Sequence, residues 1–282
     1  MPTAENTRFR TKLLAALGAV ALIVIGAIVT PLGSKLVDLV WPGPQSKFDA
    51  SVVTGEGCKP GGPPVSVALS YAFTGSTWWA TSEVFPASVL EELRNDSTYR
   101  PDVVLAKYSP VQSQLGAGTL LKLTVTGCGP KPVVITNMRP VINKRDKPLS
   151  GSVAWRPPQG NLDVTAVGFD LDATDPTALQ YDALKNHLGD SYFATKAVQV
   201  APEETVPFSV MGLTRTSYLE WSIAFETLVD GKAWNFTVSL PDGKPIRSTA
   251  VAQTYKTAYV ENVLTGWGAA DGAVTAKALR PR

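Results

Sequence analysis

The sequence predicts a mainly β protein: an immunoglobulin-like β-sandwich with one or two short helices, preceded by a single N-terminal transmembrane helix. Three observations carry this. Residues 13–34 contain no charged side chain, the segments beyond Val65 alternate apolar and polar residues, and Asp-Gly and Pro/Gly clusters punctuate those segments. The expected organisation is a cytoplasmic N-terminus (1–12), a transmembrane helix (13–34), a juxtamembrane linker (35–64), an extracytoplasmic β-sandwich domain (65–262) and a flexible C-terminal tail (263–282).

The membrane segment reads LLAALGAVALIVIGAIVTPLGS, Leu13 to Ser34. As a helix, at about 1.5 Å per residue, it spans roughly 33 Å, enough for a hydrocarbon core of about 30 Å. Arg8, Arg10 and Lys12 precede it, which holds the N-terminus in the cytoplasm and sends the bulk of the chain outside. The predicted location is the cell membrane, with the C-terminal domain extracellular and the lipid bilayer contacted through residues 13–34. A cleaved signal peptide is the alternative. Its apolar region is shorter and ends in an A-x-A-like site, whereas a cut near Gly18–Leu22 would fall inside the apolar run. Either reading exports the rest of the chain.

Pro42-Gly43-Pro44 stops any helix after the membrane segment. Cys58 and Cys128 are the two cysteines, each among turn formers, in GEGCKPGG and TGCGPKP. Their wide spacing excludes a CxxC motif. In an oxidising compartment they would close a single disulfide; two free thiols are the alternative.

The strands follow. Leu121, Leu123 and Val125 alternate with Lys122, Thr124 and Thr126, and Val167, Phe169 and Leu171 with Gly168, Asp170 and Asp172. Val206, Phe208 and Val210 form a third set. Leu219, Trp221, Ile223 and Phe225 form a fourth, and Trp234, Phe236, Val238 and Leu240 a fifth. Such alternation marks strands with one wet face. Asp230-Gly231 suits a type I′ hairpin between the last two sets. Pro241-Asp242-Gly243 then launches a third meander strand within Ile246–Tyr259. Helices are expected at SVLEELRND, opened by a Ser88/Glu91 capping box, and at PTALQYDALKNHL, with Asp175 as N-cap, Pro176 at N1 and Gly189 at the C′ position.

Composition excludes several functions. A net charge of +2 is too small to imply nucleic acid. One histidine, His187, leaves no second imidazole for a zinc site or a relay. There is no GxSxG elbow. No catalytic residue and no cofactor is assigned.

The candidate sites are weak and each has a plain structural alternative. Asp170, Asp172 and Asp175 in VGFDLDATDP are the candidate metal ligands. Their spacing departs from the calcium loop, which wants acids at positions 1, 3 and 5 and glycine at 6. Architecture explains them with less: two acids on the wet face of a strand and a third starting a helix. Trp78, Trp79 and Trp155 are the candidate ligand-binding residues, because an exposed aromatic stacks on a sugar ring or a partner. Burial of Trp78 and Trp79 by different layers is the alternative. Asn143–Lys147 is a short basic loop, either solvated or facing anionic polymers or headgroups.

The stretches VVITNMRPVI, GFDLD and SYFATKAVQVAPEETVPFSV, with the final Trp221…Asp230-Gly231-Lys232…Trp234 segment, resemble uncharacterised actinobacterial single-pass membrane-anchored proteins with an extracytoplasmic β-rich domain. The resemblance implies that layout and no activity. The expected function is a membrane-anchored extracytoplasmic binding or interaction module, an accessory subunit of a cell-envelope complex with an envelope protein or polymer partner. The alternatives are a carboxylate-dependent envelope glycan hydrolase using Asp170 and Asp172, and a sensor. With about 12 cytoplasmic residues, a sensor would need a membrane partner for output.

Overall fold

The alternating segments become strands throughout. The computed structural model describes residues 50–53, 57–59, 61–72, 76–114, 118–157, 166–182, 185–262 and 264–280. Residues 13–34 lie outside this set, and among the described residues no helix is long and apolar enough to cross a membrane. In chain order the elements are β1 (Ala50–Val53), β2 (Val65–Tyr71), β3 (Thr77–Thr81), α1 (Ser88–Asn95), α2 (Pro101–Leu105), a 3₁₀ turn (Ala106–Tyr108), β4 (Val111–Gln114), β5 (Gly118–Gly127), β6 (Val133–Asp146), β7 (Ser152–Arg156) and β8 (Ala166–Asp170). They continue as β9 (Leu179–Asp182), β10 (His187–Ser191), β11 (Val198–Val200), β12 (Thr205–Leu213), β13 (Tyr218–Val229), β14 (Lys232–Ser239), β15 (Ile246–Thr249), β16 (Thr257–Asn262), β17 (Gly266–Ala270) and α3 (Gly272–Leu279).

Two sheets result. The first runs β1-β14-β13-β6-β11, with β15 also on β13. The second runs β10-β9-β8-β12-β5-β4-β3-β7-β16-β17, with β2 also on β5. The first sheet packs on the β2-β5-β12-β8 half of the second. Their inward residues are those the alternation marks: Leu121, Leu123, Val125, Phe169, Leu171, Trp221, Ile223, Phe225, Phe236 and Val238 are all at 0% exposure and belong to one core. Burying each such side chain contributes about 2 kcal/mol. The Phe169 and Trp221 rings meet edge-on across the layers at 6.0 Å.

The other half of the second sheet, β4-β3-β7-β16-β17, is covered on both faces. Phe85, with Val89 and Leu93 of α1 and Leu105 of α2, packs with Trp79, Ala154, Tyr259 and Trp267. Ala276 and Leu279 of α3, with Ala252 and Tyr255, pack with Trp78, Ala80 and Val153. This half forms a second lobe in which the strand faces are dry, so its alternation is weak in sequence.

Several expectations need correction. The segment PTALQYDALKNHL is not a helix: it forms β9 and β10, an antiparallel pair that extends the sheet beyond β8. Tyr181 reaches the cluster of Leu120, Met211 and Leu213, and Leu188 packs against it. Asn186, with φ of 48°, supplies the left-handed turn residue. A helix here would bury a stripe of only three apolar residues, while a hairpin also pairs the open edge of β8. Asp175 therefore caps no helix and Gly189 ends none.

The Asp230-Gly231 turn forms as expected, with φ of 51° and 74°. The strand after Pro241-Asp242-Gly243 does not pair with β14, however. β15 lies along β13, beyond the end of β14, with Trp221 opposite Ile246. The chain then leaves for the second sheet as β16. The tail is ordered from Gly266 to Leu279 as β17 and α3. Helix α1 starts at Ser88, but its N-cap is Ala87 and no side chain caps it.

Cys58 and Cys128 are bonded, with Cα atoms 5.1 Å apart and a sequence separation of 70. The Cys128 backbone N–H donates to the Pro64 carbonyl at 2.9 Å, so the bond pins the start of β2 to the end of β5.

Candidate functional site

In VGFDLDATDP the apolar residues do face the core, with Val167 at 1% exposure and Phe169 and Leu171 at 0%. The three aspartates do not converge. Asp170 accepts from the Asp172 backbone N–H at 3.1 Å, which shapes the turn after β8. Asp175 is exposed on the following loop. Among the described residues no three His, Cys, Asp or Glu side chains are grouped to hold a metal ion.

Asp172 is fully engaged in architecture. Its Oδ1 accepts from Thr214 Oγ1 at 2.9 Å and Thr216 Oγ1 at 2.8 Å, and Arg145 Nη1 lies at 3.3 Å. Its Oδ2 accepts from the Arg215 backbone N–H at 2.6 Å. Burial opposes ionisation more than any other single influence. The donors from Arg215, Thr216 and Thr214, with the Arg145 charge, together outweigh it and hold the carboxyl below its ordinary range. Each oxygen serves the turn between β12 and β13. Asn143–Asp146 is not a loop but the end of β6, paired with β13, and Arg145 there also donates to the Leu171 carbonyl at 2.8 Å.

The tryptophans separate as strand alternation requires. Trp78 and Trp155 are directly opposite on β3 and β7, while Trp79 points to the other face. Trp78 and Trp79 are 0% and 2% exposed. Trp155 is half-buried, its Nε1 donating to Ser76 Oγ at 3.2 Å. The three indoles thus form no shared platform.

A different group gathers where β7 and β16 end. These strands are parallel, so Arg156 and Glu261 leave their carboxyl ends side by side. They form a two-bond ion pair, Arg156 Nε to Glu261 Oε2 and Nη2 to Oε1, with side chains only 22% and 12% exposed. Arg156 Nη1 also donates to the Tyr99 carbonyl at 3.2 Å. Tyr99 has φ of 54°, a left-handed conformation that bulky residues avoid. Asp96 imposes the turn: it accepts from the Thr98 N–H at 2.9 Å, the Thr98 hydroxyl at 2.5 Å and the Arg100 N–H at 2.6 Å. The Thr98 hydroxyl is the chief reason its carboxyl is held below the ordinary range.

The turn projects an aromatic ring outward. Tyr99 is 74% exposed, Val103 on α2 61%, and Leu264 in the β16–β17 turn 92%. Arg94 at the end of α1 donates to the Trp267 carbonyl at 2.9 Å, which fixes the helix to that hairpin. Sequence reasoning missed this group. Arg156 and Glu261 are 105 residues apart, and only the Asp96-Ser-Thr turn former carried a local signal.

Comparison of the chain with protein-family models and with curated protein sequences finds no match.

Proposed function

We propose that this chain is a membrane-anchored binding module. Residues 13–34 anchor it, and an immunoglobulin-like or related sandwich carries its second lobe outside the cytoplasmic membrane as an accessory subunit of an envelope complex. The observation that carries the reading is the exposed Tyr99 turn. A backbone held in an uncommon conformation presents an exposed ring, and its carbonyl accepts from Arg156, which is paired with Glu261. Strain maintained at a surface residue is a mark of function, and a pre-set aromatic with an arginine beneath it is how binding surfaces concentrate affinity. The Cys58–Cys128 bond supports the compartment, since such bonds persist outside the reducing cytosol.

Protease treatment of intact cells, followed by reduced and non-reduced gels, tests the placement. External protease should remove the β domain, and the intact chain should migrate faster without reductant. Resistance until the cells are lysed would sink the reading.

A further inference from the structure

We infer that the β13–β14 hairpin rests on the lipid bilayer, with Trp234 at the level of the headgroups. The inference rests on the binding-module reading and adds the face that the domain turns to its membrane. β1 runs parallel to β14, with Ala50 opposite Phe236. The chain therefore enters the domain at the end where β14 begins, beside the Asp230-Gly231 turn. Val133, at the start of β6, lies opposite Val229 at this same end. The second lobe is joined at the other end. There Tyr218 lies opposite both Asp146, which leads to β7, and Thr249, which leads to β16. Gly118, opposite Leu213, carries the link to β4.

Chain length favours one orientation. Residues 35–49 join the proposed anchor to Ala50, and fully extended they reach about 50 Å. β13 has 12 residues and at about 3.4 Å each is about 40 Å long. With the second lobe toward the bilayer, the linker would have to run the length of the sandwich and of that lobe before entering β1. That takes nearly all its reach and its freedom. With the hairpin toward the bilayer, the linker stays slack.

The chemistry of this end suits a headgroup layer. The core-side row of β14 runs Trp234, Phe236 and Val238. The last two are at 0% exposure and Trp234 at 37%, so the row outruns the packed core and ends in an uncovered indole. The Thr227 hydroxyl donates to the Trp234 carbonyl at 2.8 Å and fixes the backbone that bears it. An indole has an apolar body and one N–H donor, which suits the boundary between lipid and water. The exposed charges of this end are mixed: Lys59, Lys131 and Lys232 stand against Asp230, Glu203 and Glu204. They balance, so the ring carries the contact and a zwitterionic bilayer suffices.

The test uses the full chain in phosphatidylcholine vesicles. The native cysteines are bonded to each other, so Ala233→Cys on the hairpin and Val274→Cys on α3 each introduce one free thiol for a polarity-sensitive dye. With a nitroxide on the lipid headgroups, the dye at position 233 should lose most of its emission and shift to the blue, and the dye at position 274 should do neither. Adding Trp234→Asp should reverse both effects and Trp234→Phe should keep them, at unchanged melting temperature. Replacing part of the lipid by phosphatidylglycerol should change neither. Equal quenching at the two positions overturns the inference. So does shielding at position 233 in native membranes without quenching in pure lipid, which would give the hairpin to another envelope component. Extraction of the chain from the vesicles by alkaline carbonate overturns the anchor reading and the inference with it. A chain that is retained but unquenched at position 233 overturns the hairpin contact alone.

Discussion

Asp172 Oδ2 accepts a hydrogen bond from the Arg215 backbone N–H at 2.6 Å, across 43 residues of chain. That bond joins the end of β8 to the turn between β12 and β13. Replacing Asp172 by Asn leaves hydroxyl and backbone donors without their charged acceptor. The loss should be about 2 kcal/mol, or about 6 °C in melting temperature. The same carboxyl should set an acid limit. Its folded pKa lies below its unfolded value, so its contribution is fully present above about pH 4 and fades as pH falls through the folded pKa. Urea midpoints measured from neutrality to acid should therefore fall below about pH 4 in the wild type, and the Asp172→Asn chain should lose less over that range. Parallel acid curves for the two chains would show that this carboxyl is not the limiting group.

The sandwich was readable where one strand face is dry and the other wet. Leu121, Leu123 and Val125 announce themselves because Lys122 and Thr124 stand between them on the wetter face. The second lobe was not readable for the opposite reason. Every residue of β3, Thr77 to Thr81, is buried, so no alternation survives there. PTALQYDALKNHL deceived because Tyr181, Leu184 and Leu188 satisfy helical spacing, while the competing signal, the open edge of β8, exists only in the folded sheet. The candidate site was hidden by distance. Arg156 and Glu261 meet only because β7 and β16 lie side by side, and nothing local in the chain foretells that pairing.

The Cys58–Cys128 bond closes a loop of 70 residues. Restricting the unfolded chain by that much stabilises by about 4 kcal/mol in the chain-entropy account. Cys58→Ser/Cys128→Ser should melt about 12 °C lower than the oxidised wild type, with the native circular dichroism spectrum kept at low temperature. Reductant should bring the wild type to the same melting temperature and leave the double variant unmoved. A shift of the variant under reductant would contradict this.

Gly272 opens α3 against the backbone of Tyr255. A β-carbon there would fall inside contact distance of the Tyr255 carbonyl and amide, neither of which is a flexible side-chain end. Gly272→Ala should force α3, with its Leu279, off the face holding Trp78, at about 3 kcal/mol. Asp271→Ala removes the side-chain acceptor for the Ala273 and Val274 N–H groups and should cost only about 1 kcal/mol. Calorimetric melting of the two variants checks the order. If the cap loss exceeds the glycine change, the close approach is not what seats the helix.

Ser248 links the sheets through hydroxyls rather than packing. Trp221 Nε1 donates to Ser248 Oγ at 2.9 Å, Ser248 Oγ donates to Thr119 Oγ1 at 2.8 Å, and Thr119 Oγ1 in turn donates to the Arg247 carbonyl at 3.2 Å. Trp221 and Ser248 belong to the first sheet and Thr119 to the second, and all three are at 0% exposure. Ser248→Ala strands the indole N–H in the core and should cost about 2 kcal/mol, whereas Thr119→Val keeps the volume and removes one acceptor, at about 1 kcal/mol. Once Ser248 is alanine, the Thr119 hydroxyl has no hydroxyl donor left to lose. The double variant should therefore be about 1 kcal/mol more stable than the sum of the single losses predicts. Urea unfolding of the four chains measures this, and a common m-value would show that the comparison concerns the native state. Strict additivity would mean that the bond between the sheets contributes nothing of its own.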